Sequence, residues 1–157
     1  GGGKTITLDR FGDPTYMYYA ASPTPGQVAL DTTYDAALAG GPDIPAATWP
    51  GVLVLRHPIT VPGTLPVPAS GDLAISWTPV GADFVRFDFY NGFTPPALFS
   101  CWAKDDGSFA VPASFLATLP AGSGGVLAAA TKRHTLLVNS RVVAFDGEAS
   151  SGATWTK

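Results

Sequence analysis

A chain of 157 residues allows one domain or two small ones, and is long enough to bury about two thirds of its unfolded surface. Hydrophobic residues make up 46% and charged residues 13%, half the usual share of about 25%, which excludes a disordered chain. A net charge of −3, with nine scattered basic residues, argues against a nucleic-acid surface and implies no particular partner.

Eighteen Gly and fifteen Pro punctuate the sequence often, as an all-β chain of short strands requires. Thr5–Phe11 and Thr15–Ala20 read as strands flanking a hairpin turn at Gly12-Asp13-Pro14. Ser22–Gly26 is a loop. Thr33–Ala39 places Tyr34, Ala36 and Leu38 on one face of a strand, and Gly40-Gly41-Pro42 ends it. Trp49–His57 is a further strand with Pro50 at a bulge or edge. Thr60–Ala69, crossed by Pro62, Pro66 and Pro68, reads as an extended linker. The expected organisation is residues 1–66 as N-terminal strands, either a small separate sandwich or packed on the next unit, followed by a sandwich over 67–157.

The strongest period-two pattern lies in Gly71–Tyr90. Leu73, Ile75 and Trp77 share one strand face, and Thr78-Pro79-Val80-Gly81 turns the chain. In the next strand Val85, Phe87 and Phe89 form a core face, while Phe84, Arg86, Asp88 and Tyr90 form the other. Leu98–Lys104 sets Phe99, Cys101 and Ala103 against Leu98, Ser100 and Trp102, yet the size of Trp102 suggests core duty beside Trp77, Phe87 and Phe89. Asp105-Asp106-Gly107 is a turn. Pro112–Leu119 is the one short helix expected, stopped by Pro120. Val126–Thr131, Thr135–Val138 and Arg141–Phe145 read as closing strands, the last two joined through Asn139-Ser140.

The stretch DLAISWTPVGADFVRFDFY resembles the second and third strands of a fibronectin type III or related immunoglobulin-like sandwich, in which a strand ending Ser-Trp-Thr-Pro places its Trp in the core. The resemblance covers about twenty residues. It departs from the family after Trp102, where the usual late-strand Tyr has no counterpart. Pro112–Pro120 followed by Ala121-Gly122 is more loosely similar to uncharacterised bacterial envelope lipoproteins. The resemblance implies an Ig/FnIII-like antiparallel β-sandwich with extra N-terminal strands and one short helix.

Motifs for chemistry are few. Gly3-Lys4-Thr5 imitates the end of a phosphate-binding loop, but a strand pattern follows where that loop needs a helix. His57 and His134 lack zinc-ligand spacing. Cys101 is alone, which leaves no intrachain disulfide and no cysteine metal cluster; it reads as a small buried strand residue. Five of the eleven Asp residues (Asp13, Asp43, Asp72, Asp106 and Asp146) sit beside Gly or Pro, where their side chains serve turns rather than paired acid–base work. No enzyme activity and no cofactor are expected.

The aromatics carry the functional expectation. Tyr16, Tyr18, Tyr19, Phe84, Tyr90 and Phe93 are left over from the core, and they either pack under the N-terminal strands or serve a ligand. Phe84, Tyr90 and Phe93 are the candidate contacts for an unidentified protein or glycan partner. The expected role is a non-enzymatic, exported or cell-surface bacterial module for adhesion, assembly or scaffolding, with a carbohydrate-binding module as the alternative. No apolar run approaches the eighteen residues of a membrane span. No leader is visible and Gly1-Gly2-Gly3 reads as a linker, so a lipid anchor upstream stays open.

Overall fold

The computed structural model describes residues 7, 9–11, 18–20, 26–40, 45–92, 94–138 and 141–157, with 9–11, 18–20 and 141 described by backbone alone. Among the described residues the fold is all-β, with eleven strands and one short helix. Two compact units divide it, residues 1–30 and 31–157.

In the first unit, β1 (Asp9–Phe11) pairs antiparallel with β2 (Tyr18–Ala20), Arg10 opposite Tyr19. This is the hairpin that the alternation predicts; its turn at Gly12-Asp13-Pro14 lies outside the described residues.

The second unit opens with β3 (Thr32–Leu38) antiparallel to β4 (Ala47–Leu55). Tyr34, Ala36 and Leu38 are half-buried and the residues between them exposed, as period two requires. The ladder slips between Tyr34 and Ala36, opposite Pro50 and Gly51. Pro50 has no amide hydrogen to give, and Gly51 takes a φ of 67°, which a side chain disfavours. The Gly51 amide then donates to Asp35 Oδ1 at 2.9 Å, closing the bulge.

β5 (Thr64–Pro66), β7 (Phe84–Phe89), β8 (Phe99–Ala103), β10 (Ser123–Val138) and β11 (Arg141–Thr156) form a five-stranded sheet curled as a half-barrel, in the order β5-β11-β10-β7-β8. β5 lies in the segment expected as a linker. Its proline-flanked Leu65 joins the core instead, because a parallel edge beside Trp155 needs few amide donors. The two closing strands expected at Val126–Thr131 and Thr135–Val138 are one. Lys132, Arg133 and His134 do not break it, since in an open ladder charged side chains simply point out. β11 likewise continues past Phe145 to Thr156.

β6 (Leu73–Ser76) pairs with β9 (Ser108–Val111), a strand missed in the sequence because Ser108–Val111 is too short to show alternation. Leu73, Ile75, Trp77 and Val111 meet Val85, Phe87, Phe89, Cys101, Val126, Ala128, Ala130, Ala153 and Trp155 of the large sheet in one buried cluster. Trp77 tilts against Phe87 at 5.4 Å, and Phe89 stacks on Phe99 at 4.6 Å. Burying each such side chain contributes about 1.5–3 kcal/mol. The expected helix shrinks to α1 (Ala113–Leu116), whose Ala113 amide donates to Asp72 Oδ1 at 2.8 Å. Leu116 and Leu119 are buried beneath it. Lys157 Nζ donates to the carbonyls of Leu116 and Leu119, at 3.0 and 2.8 Å, closing its far end.

The β10–β11 hairpin is long enough to carry two packing layers. Its near half backs the core cluster. Farther out, a Cβ on Gly147 would run into the Val54 carbonyl, so only glycine lets β4 cross here. Trp49 of β4 packs on Phe145 at 5.3 Å, and Ser151 Oγ donates to the Ile59 carbonyl at 2.7 Å.

Candidate functional site: the outer face of the large sheet

Alternation leaves one face of the large sheet away from the core, carrying Phe84, Arg86, Asp88 and then Tyr90 along one strand. Ser100 stands opposite Asp88 and Trp102 opposite Arg86 on β8; Thr131, Ala129 and Leu127 follow on β10. Trp102 is 55% exposed. Its expected core role is therefore corrected: Cys101 and Trp102 are neighbours on a strand, and burial of the first turns the second outward.

Trp102 is held on two sides. Phe84 tilts against it at 5.0 Å and 54°, and the Arg86 guanidinium carbon lies 5.4 Å from its ring. Arg133 continues the row, 5.2 Å over the Phe84 ring, and grips Asp146 with two bonds of 2.7 and 2.6 Å. The bond to Asp146 pushes the Arg133 guanidinium above its ordinary range.

Behind this row lies a buried carboxylate. Asp88, 6% exposed, accepts from Arg86 Nε at 2.9 Å and from Ser100 Oγ at 2.6 Å. Arg86 also reaches Glu148 at 3.5 Å, and Thr131 Oγ1 donates to the same carboxylate at 3.4 Å. Asp88 thus holds the Arg86 guanidinium in place beside Trp102. Burial first, and then the negative charge of Asp88, pushes the Tyr90 phenol above its ordinary range.

The predicted contacts divide. Phe84 is half-buried at the aromatic end. Tyr90 is half-buried six residues on, about 20 Å away along an extended strand. There it joins Pro95, Leu127 and Gly152 around a shallow depression of about 200 Å³, its carbonyl accepting from Trp155 Nε1 at 2.9 Å. Phe93 lies outside the described residues, as do the side chains of Tyr16, Tyr18 and Tyr19. Sequence reasoning placed Arg86 on this face beside Phe84 and Asp88, as the structure has it, but gave Trp102 to the core and missed Arg133. The signal for Trp102 was present in its alternation with Cys101; the pairing of Arg133 with Phe84 depends on β7–β10 register, which local sequence does not encode.

Among the described residues no group of three or more His, Cys, Asp or Glu could hold a metal ion, and no helix is long and apolar enough to cross a membrane. Comparison with known proteins finds no matching family model, curated protein or solved structure.

Proposed function

We propose that this chain is a non-enzymatic, Ig/FnIII-like β-sandwich module of an exported or cell-surface protein, acting in adhesion, assembly or scaffolding through the outer face of its large sheet. Supporting the sandwich reading is the single core shared by β6–β9 and the five-stranded sheet. The observation that carries the binding reading is Trp102: a large, exposed aromatic fixed between Phe84 and Arg86 presents rigid apolar area at low entropy cost, the character of an interface anchor. A photo-crosslinking residue at position 102 should capture one partner, while the same residue at Ala74, on the exposed side of β6, captures none. Equal capture at both positions, or none at either, would remove the outer face from the proposal.

Carbohydrate binding is the second reading. An indole platform fringed by Arg86, Ser100 and Glu148 suits the apolar face and hydroxyls of a sugar ring. On a glycan array this reading requires binding to one sugar class that Trp102→Ala abolishes; an array without hits leaves the protein-partner reading in place.

A further inference from the structure

β8 is the last strand of the large sheet, and its outer edge has no neighbour among the described residues. The ladder decides which backbone groups that leaves open. The Tyr90 amide donates to the Gly125 carbonyl of β10, while the Phe89 carbonyl turns the other way and accepts from Leu98. Backbone groups alternate along a strand, so Val85, Phe87 and Phe89 face β8, and their partners Ala103, Cys101 and Phe99 face back. Ser100 and Trp102 therefore point their N–H and C=O groups outward, with no partner among the described residues. The opposite edge of the sheet is guarded: β5 is three residues long, ends on Pro66 and is flanked by Pro62 and Pro68. β8 has no such guard, since Leu98–Ala103 contains neither a charge nor a proline. Three of the six large apolar side chains exposed among the described residues also gather here: Leu98, Trp102 and Phe115, whose ring lies 5.6 Å from that of Phe99.

We propose that β8 pairs antiparallel with β8 of a second copy of this chain, about a two-fold axis at Cys101, joining two half-barrel sheets into one. The occupant of the edge is a strand, because an open ladder is satisfied by another extended backbone. A second copy fits it residue by residue. About Cys101, Ser100 and the partner's Trp102 exchange both backbone bonds, and each bulky side chain meets a small one. Trp102 lies across from the partner's Ser100 on the outer face, and Phe99 across from the partner's Ala103 on the core face. Arg86 already fills the other side of Trp102. This pairing rests on the outer face being an assembly surface, and it gives that surface its partner.

Sedimentation equilibrium of the full chain should show a reversible monomer–dimer equilibrium, with reductant present so that Cys101 cannot link copies covalently. Ser100→Pro takes away the outward amide hydrogen but no bond to β7. It should weaken the dimer roughly ten-fold or more, since each copy loses one ladder bond. Ser100→Ala loses the same hydroxyl bond to Asp88 yet keeps the amide, so it should dimerise as wild type does. Trp102→Lys, at an exposed position, should abolish the dimer without unfolding the monomer in a thermal melt. A dimer that either Ser100→Pro or Trp102→Lys leaves as tight as wild type would overturn the proposal, and so would a wild-type chain that stays monomeric at every concentration. If the photo-crosslinking residue at position 102 then captures a different protein, the outer face keeps its binding role and only the self-pairing falls. A monomer with no capture at 102 removes both.

Discussion

Trp77 and Cys101 show how single side chains hold the two layers together. Trp77 is buried against Phe87, and its indole Nε1 donates to Asp105 Oδ1 at 2.8 Å, while the other oxygen of that carboxylate accepts from the Val80 and Ala82 amides, each at 2.9 Å. One Asp thus ties the core Trp to the turn that follows it. Trp77→Ala should cost about 3–5 kcal/mol, a large part of the stability of an ordinary domain. An unchanged thermal melt for that variant would mean Trp77 is not a core anchor. Burial pushes the Cys101 thiol up, so it stays protonated. A bulky maleimide should therefore label it slowly in native buffer and at once after denaturation; rapid native labelling would contradict its place between Phe99 and Ala103. The partner of Cys101 in this argument, Trp102, was legible as outward from alternation alone. Its size pointed the other way, and alternation decides because strand geometry leaves a residue only one face.

At the scale of elements, local pattern was legible wherever a strand buries one face: β3, β6, β7 and β8 follow period two directly. It failed where burial depends on a distant partner. Leu65 is buried only because β5 meets Trp155, ninety residues on, and Gly147 reads as a turn glycine although its role is to admit the Val54 backbone. Gly147→Val should accordingly cost about 1–3 kcal/mol through overpacking, because a backbone carbonyl cannot swing aside as a side chain can. Chemical denaturation measures this, and a variant as stable as wild type would mean that β4 crosses elsewhere. Asp83 links the start of β7 to β10, bonding Lys132 Nζ at 2.5 Å and the Arg133 amide at 2.7 Å. Burial raises its carboxyl pKa, but those two bonds and the charges of Lys132 and Arg56 together outweigh this and hold it below its ordinary 3.8. A depressed folded-state pKa contributes stability that is fully present above the unfolded value and lost as pH falls through the folded one. The side chain is 38% exposed, so screening keeps the contribution small. Asp83→Asn should lower the urea midpoint at about pH 6, and the gap to wild type should close as the pH falls below 3.8. A constant gap across that range would show that the carboxylate charge is not what stabilises the link.

For the molecule as a whole, the all-β class was legible from Gly and Pro punctuation and alternation, whereas the two-layer use of the β10–β11 hairpin was not, because its outer half looks like ordinary closing strands until β4 is placed on it. That placement makes a prediction about residues 31–61. Val52 and Ile59 are buried, Val61 lies in the main core cluster, and Trp49 covers Phe145. Removing them would uncover Phe145, strip Ser151 of its bond to the Ile59 carbonyl and take Ile59 and Val61 out of the core cluster. A fragment of residues 62–157 retains all five strands of the large sheet together with β6, β9 and α1, so it has the elements of a complete two-layer fold. If those elements sufficed, the fragment would associate no more than the whole chain by size exclusion and melt with it. We expect aggregation or a strongly lowered melting temperature, because an exposed apolar sheet face of this extent is an association surface. Restoring only 45–61, which brings back β4 and Ile59 without β3, should recover part of the stability. Recovery would locate the effect in the packing of β4 on the hairpin, and no recovery would assign it to the β3–β4 pair as a unit.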